Sequence, residues 1–472
     1  MVIHSSKSDK FSPSNNLIAL CLASFVVVTG FGVILPFFPL YAKEILFNFS
    51  FLGLPIGIAF QIGIMTSAFM FTRFLLAPSF GDLSDVSGRK PIILVGMSIY
   101  TFLLFGFGLA FDFLSLLMLR ALQGIASAAV WPIGEALIVD TSTKSTTGRN
   151  LGYYIMSMQA GMAAGPLIGF IFYAGLNGIV GFPPILSYRL TFICQGVLGL
   201  LATMIVALLV KDPSQSDSEN LTIIGSFMIA IKQMGRKIIQ SPRYLVTTFS
   251  TAEKYRSRSL YTIYLVAIIN GFGNAMIFPI IALFLDDYYF LDPEFIALII
   301  GIVGILALSG NPLGGTLSDK LARKHVVWIS GCLRGVFYLI LGIQWGLFAV
   351  VIAFAIQRFL WAIYQPAFRA IQSELIPETV RGKEFGIVQA LFNFGSVMGP
   401  IIGGALYDYF LDVTFNLNGV VYLGAGVTFV LAGILGIIGS ITLLLFVNSS
   451  DYQTSVKKPI QGTELAASLM EK

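Results

Sequence analysis

Charge is scarce in this chain: 11% of its 472 residues are Asp, Glu, Lys or Arg, against about 25% in soluble globular domains. Histidine occurs only at His4 and His325, and cysteine only at Cys21, Cys194 and Cys332. The histidines fall in the amino-terminal tail and at the start of an apolar run, so neither serves as a mid-membrane proton relay. The cysteines lie inside apolar runs, which excludes a secreted-type disulfide framework. No G-x-x-x-x-G-K-[ST] loop occurs, which disfavours an ATP-driven pump. No catalytic or metal-ligating cluster is visible, so no enzyme activity, metal or cofactor is expected.

In place of charge there is apolar length. Hydrophobic residues make up 56% of the chain, with 41 phenylalanines and a mean hydropathy of +0.85. A helix needs about 20 apolar residues to span a bilayer. Twelve runs qualify: 16–40, 54–80, 91–111, 113–139, 150–174, 188–210, 260–285, 295–314, 325–346, 348–374, 384–407 and 419–446. The first is too long for a signal peptide and lacks its cleavage site.

With the amino terminus assigned to the cytoplasm, 22 of the 29 Lys and Arg fall in cytoplasmic segments. Only Lys43 and Arg189 fall outside, and Arg73, Arg120, Arg334, Arg358 and Arg369 lie within spans. The positive-inside rule therefore predicts both termini in the cytoplasm. The expected fold is an all-α membrane protein with twelve transmembrane helices. Its segments are a tail (1–15), six helices (16–210), a linker (211–259), six more helices (260–447) and a second tail (448–472). Within the linker, LTIIGSFMIAIKQMGRKIIQ reads as a basic amphipathic helix lying on the cytoplasmic leaflet.

The two halves repeat one another. GDLSDVSGRK at 81–90 returns as GTLSDKLARK at 315–324, and GMAAGPLIGF at 161–170 as GSVMGPIIGG at 395–404, both at an offset of 234. Arg120 is matched to Arg358 at 238, through a loop read as four residues longer in the first half. The repeat predicts two six-helix halves related by an axis along the membrane normal.

GDLSDVSGRK closely resembles motif A of the major facilitator superfamily. Arg120, Gln123 and Gly124 resemble its motif B, and GMAAGPLIG resembles motif C, the antiporter motif. The resemblance spans about 15–447 and leans towards the drug:proton antiporter branch. It implies alternating access, a usually monomeric state, the plasma membrane, a small-molecule substrate and protons as the coupling ion. It also implies a conformational latch at Gly81, Asp82, Asp85, Gly88, Arg89 and Lys90, with Asp85 on the eleventh-helix N-terminus near Lys383–Gly386 and Arg89 on Asp140. A weaker copy is expected at Asp319 and Arg323. Gly81 is read as letting the second helix end against a neighbour.

The glycine stripes Gly161, Gly165, Gly169 and Gly395, Gly399, Gly403, with Pro166 and Pro400, read as hinges packed across the halves. Buried arginines cost roughly 2.5–3.5 kcal/mol each on insertion scales and need a reason. Expected around a central cavity are Arg120, Gln123, Trp131, Tyr154, Met158, Gln159, Asn270, Asn274, Arg358, Trp361, Gln365, Arg369, Gln389 and Asn393. Arg334 is expected to meet a structural partner or a lipid headgroup. Glu135 reads either as an interfacial carboxylate or as the proton carrier. Drug-cation exporters of this branch usually carry a carboxylate in the first helix, and none stands between Thr29 and Tyr41. Five interior arginines against one glutamate favour an anionic or neutral amphipathic substrate. Efflux is the expected function. The alternatives are proton-coupled import of an organic anion and a non-transporting sensor.

Overall fold

The computed structural model describes residues 13–47, 49–51, 54–142, 146–210, 257–343, 345–376, 381–417 and 420–447. The expected amphipathic linker helix, residues 1–12 of the first tail and the whole second tail lie outside the described residues. Among the described residues, twelve helices are long and apolar enough to cross a membrane. Their backbone groups pair within each helix, as a hydrocarbon environment requires.

The first half contains α1 (Pro13–Ile45), α2 (Ile58–Ser87), α3 (Arg89–Leu109), α4 (Phe113–Asp140), α5 (Thr147–Ala174) and α6 (Pro184–Leu209). The second contains α7 (Arg258–Tyr289), α8 (Pro293–Lys320), α9 (Arg323–Leu341), α10 (Leu347–Leu375), α11 (Arg381–Phe410) and α12 (Val427–Phe446). Two of these spans are broken. α7 is interrupted between Ile277 and Ile280, at Pro279, and α8 between Leu308 and Gly310, ahead of Pro312. Each proline lacks an N–H and crowds the carbonyl four residues before it. The end carrying the 81–90 turn is called the tail side below.

The opposite side carries two antiparallel hairpins, Phe49–Phe51 with Leu54–Ile56 and Thr414–Leu417 with Val420–Leu423. The last span therefore begins at Val427 rather than 419. The alternating apolar pattern around Asn-Gly in VTFNLNGVVYL is a hairpin signal that the hydropathy reading absorbed into a helix.

Helices α4 and α10 repeat without an insertion. They start at Phe113 and Leu347, and their internal prolines are Pro132 and Pro366, both 234 apart. This corrects the matching of Arg120 to Arg358. Arg358 stands one helical turn further along its helix and about 40° around it.

The glycine stripes pack within the halves, not across them. A Cβ at Gly161 or Gly165 would meet the α1 backbone at Phe25, Thr29 and Gly32. Equivalent atoms at Gly395 and Gly399 would meet the α7 backbone at Ile268 and Phe272, and at Gly403 it would meet Met276. Gly169 abuts the Phe37 ring. Pro166 and Pro400 lie inside continuous helices α5 and α11. Gly32 of α1 and Gly271 of α7 supply the complementary close approaches, to α5 and α11 respectively.

Candidate functional site

The tail-side turn is built from a helix break. α2 runs on past Gly81 to Ser87, and Gly88 turns the chain at φ 86° before Arg89 opens α3. A Cβ on Gly81 would meet nothing within 4 Å, so this glycine neither ends the helix nor abuts a neighbour. The positive φ explains the glycine at 88. Arg89 gathers the turn: its guanidinium meets Asp85 at 2.6 Å, Asp140 of α4 at 2.7 Å and the Ser84 hydroxyl at 2.8 Å. Lys90 donates to the Ala207 carbonyl at the end of α6, 2.8 Å away.

The second half repeats this arrangement. Arg323 pairs with Glu374 of α10 at 2.5 Å, and Lys324 donates to the Val447 carbonyl at 2.6 Å. The Ser84 and Ser318 hydroxyls each donate three residues back, to Gly81 and Gly315, at 2.7 Å. Glu374 was missed in the sequence, although it lies 51 residues after Arg323, as Asp140 does after Arg89. Asp319 is exposed and has no ion pair among the described residues. The side chains of Asp82 and Lys383 lie outside the described residues. The Arg89 and Arg323 ion pairs each join groups of the same half.

The contacts between halves lie towards the opposite side. Lys43 of α1 is clamped by Asp286 at 2.6 Å and Asp287 at 2.5 Å, both on α7. Tyr407 of α11 donates to Asp287 at 2.7 Å. The Asp408 carboxylate of α11 accepts the Ala59 and Phe60 backbone N–H groups at 3.1 and 2.7 Å. It thereby caps the N-terminus of α2, where a helix favours negative charge. The Ser67 hydroxyl donates to the Val397 carbonyl at 2.6 Å, and Gly63 of α2 packs on the Pro400 carbonyl. Gly301 and Gly304 of α8 pack on Leu167 and Ala163 of α5. Alternating small residues let these backbones approach. The halves are therefore closed on the opposite side.

Between the halves lies a cavity of about 210 Å³. Gln159 of α5, Asn274 and Phe278 of α7, Asn311 of α8, Tyr338 of α9 and Phe354, Arg358, Trp361 and Gln365 of α10 line it, with aliphatic residues between them. Asn311 donates to Gln159 across the halves at 2.6 Å. Asn311 was not expected from the sequence, because the break ahead of Pro312 brings it to the cavity.

Other expected cavity residues lie elsewhere. Arg120 is buried within the first half, its guanidinium 3.7 Å from the Phe38 ring centre and bonded to Gln123 at 3.2 Å. Tyr154 is also buried there, its hydroxyl against Gly134. Trp131 lies under the Arg73 guanidinium and meets the Phe31 ring edge to face, and Met158 packs against the hydrophobic core. Asn270 is bound inside the second half by Tyr364 at 2.8 Å and Arg334 at 2.9 Å. That contact gives Arg334 a structural partner rather than a lipid headgroup. Gln389 and Asn393 hydrogen-bond to each other at 3.2 Å. In each case, burial within a half or a closer polar partner takes the side chain away from the cavity. Glu135 and Arg369 are both exposed towards the tail side and interact electrostatically across the halves, with Arg73 also near Glu135.

Comparison with known proteins agrees with this architecture. The Major Facilitator Superfamily profile matches residues 20–252 and 263–469. The Quinolone resistance protein NorA of Staphylococcus aureus (strain MRSA252) is 26% identical over 425 residues, covering 87% of this chain and 92% of NorA. Multidrug resistance protein 1 of Bacillus subtilis (strain 168) is 26% identical over 404 residues, covering 84% and 92%. Among solved structures, a bacterial homolog of the human lysosomal transporter Spinster, inward-facing and unoccupied, superposes with a TM-score of 0.73 at 17% identity, covering 96% of this chain and all of that one. The repeated half-bundles, the duplicated arginine turns and the profile match across both halves converge: the chain belongs to the major facilitator superfamily of membrane transporters.

Proposed function

We propose that this transporter exports drug-like or amphipathic compounds by alternating access, driven by proton entry, with its tail side in the cytoplasm of a plasma-membrane protein. The observation that carries the reading is a polar and aromatic cavity between two halves that, among the described residues, are clamped together by ion pairs on the opposite side. A cavity of that form takes a small solute. Similarity to NorA and to the Bacillus multidrug resistance protein supports export. The charge distribution supports the orientation.

In this reading, release to the outside needs the Lys43 clamp and the Asp408 cap to open. Closure on the tail side then brings Asp85 onto the N-terminus of α11 and Glu135 onto Arg369. The Arg89–Asp140 and Arg323–Glu374 pairs keep each half rigid while it rocks. Glu135 is the candidate proton carrier, because it stands between arginines at the opening. The protein works as a monomer in the bilayer.

The direct test is extrusion of fluorescent amphiphiles from cells expressing the chain. Extrusion that stops on addition of a protonophore supports the reading. Accumulation of the dye above the level in control cells overturns it. The second reading, proton-coupled import of an organic anion, is favoured by the absence of any carboxylate from the cavity wall among the described residues.

A further inference from the structure

The central cavity has an unusual charge balance for a chain with 24 acidic residues. Among the described residues, Arg358 is the only charged side chain that lines it, and no aspartate or glutamate does. Arg358 has no ion pair among the described residues. Behind it, Arg334 of α9 is 3% exposed and lies 4.4 Å from the centre of the Trp361 ring. One Arg334 nitrogen bonds to Asn270, while Nε and Nη1 have no acceptor. Two guanidiniums of the same half thus bear on one wall without a counterion among the described residues.

The nearby acids are engaged elsewhere. Glu384 accepts the Tyr264 hydroxyl. Glu135 faces Arg369 and Arg73. Asp286, Asp287 and Asp408 form the opposite-side clamp. In a site of low dielectric, uncompensated positive charge repels a cationic ligand and holds an anion strongly.

We infer that the transported compound carries an anionic group, a carboxylate or a group of similar charge and geometry, which docks on Arg358. Its apolar body lies against Phe278, Phe354 and Trp361. The planar guanidinium offers a two-pronged fork that matches a carboxylate. The Gln159–Asn311 amide pair spans the two halves and supplies neutral hydrogen-bonding groups beside the body of the ligand. The inference deepens the transport reading above and rests on it for the direction of movement, but not for the recognition chemistry.

Matched ligand series test it. For naphthyl, indolyl and octyl bodies, the carboxylic acid, its methyl ester and a quaternary ammonium analogue are titrated against purified protein, with binding read by thermal stabilisation. The expected result is at least one acid binding tenfold or more tighter than its ester, with the ammonium analogue weaker still. Arg358→Gln should abolish the preference for the acid, and Arg358→Lys should retain part of it. The wild-type series alone decides the matter if Arg358→Gln fails to fold. Equal or tighter binding by esters or ammonium analogues overturns the inference. So does an acid preference that survives in Arg358→Gln, or the absence of binding by every acid. If cells extrude cationic dyes while no acid binds, the anionic site falls and export stands. If acids bind through Arg358 but no compound is moved, export falls and the site stands.

Discussion

Replacing Lys43 with glutamine removes both ion pairs that tie α1 to α7 on the closed side. The side chains are 38%, 27% and 18% exposed for Lys43, Asp286 and Asp287, so solvent screens them substantially. Partly exposed pairs of this kind contribute roughly 0.2–1 kcal/mol each. Two of them bias the equilibrium by about 0.4–2 kcal/mol, or roughly two- to thirtyfold in the ratio of open to closed protein. The assay is spin-label distance measurement in a background lacking Cys21, Cys194 and Cys332. Labels would sit at Phe111 and Tyr409, exposed positions at the opposite-side ends of the two halves. Lys43→Gln should increase the long-distance population within that range, and Lys43→Arg should restore most of the wild-type distribution. An unchanged distribution in Lys43→Gln would refute the clamp and leave the pairs as surface decoration.

Asp408→Asn should also favour the open opposite side, because a neutral amide caps the α2 N–H groups more weakly than a carboxylate, by about 0.3–1 kcal/mol; the same labels read it. Gly165→Ala and Gly399→Ala should each destabilise the folded protein by roughly 1–3 kcal/mol, seen as a lower Tm, because the added methyl meets backbone at Gly32 or Phe272. Gly81→Ala should leave stability unchanged or raise it by about 0.5–1 kcal/mol, since the new methyl enters open space within a helix. A double-mutant cycle on Arg323 and Glu374 should give a coupling energy close to that of Arg89 and Asp140, because the two pairs occupy the same place in each half.

Much of the architecture was legible because lipid imposes simple rules. Apolar runs of the right length gave twelve spans, and a recurrent Gly-x-L-S-D turn gave the two halves. The hairpins escaped because hydropathy averages over a window and blurs the alternation in VTFNLNGVVYL. The broken spans α7 and α8 were hidden for a related reason: a proline in an apolar run changes its geometry without lowering its hydropathy. Of the arginine turns, the Asp85–Arg89 pair was readable from its four-residue spacing, Asp140 came from the family resemblance, and Glu374 was missed. The clamp was not, since Lys43 and Asp286 lie 243 residues apart and only packing joins them. The cavity was half legible. The stripe Arg358–Trp361–Gln365 follows from helical periodicity on α10. Arg120 follows the same periodicity yet turns into its own half, where Phe38 and Phe107 offer aromatic faces. Sequence spacing fixes which residues share a helix face but not which neighbour that face meets.

The most direct test of the transport account uses purified protein in sealed liposomes with an imposed pH gradient. An internal pH-sensitive dye reports proton movement, and a fluorescent amphiphile reports its own. The account expects amphiphile and protons to move in opposite directions, and to reverse together when the gradient is reversed. Movement of both in the same direction would contradict export and favour the import reading, and movement of the amphiphile with no response to the gradient would contradict proton coupling.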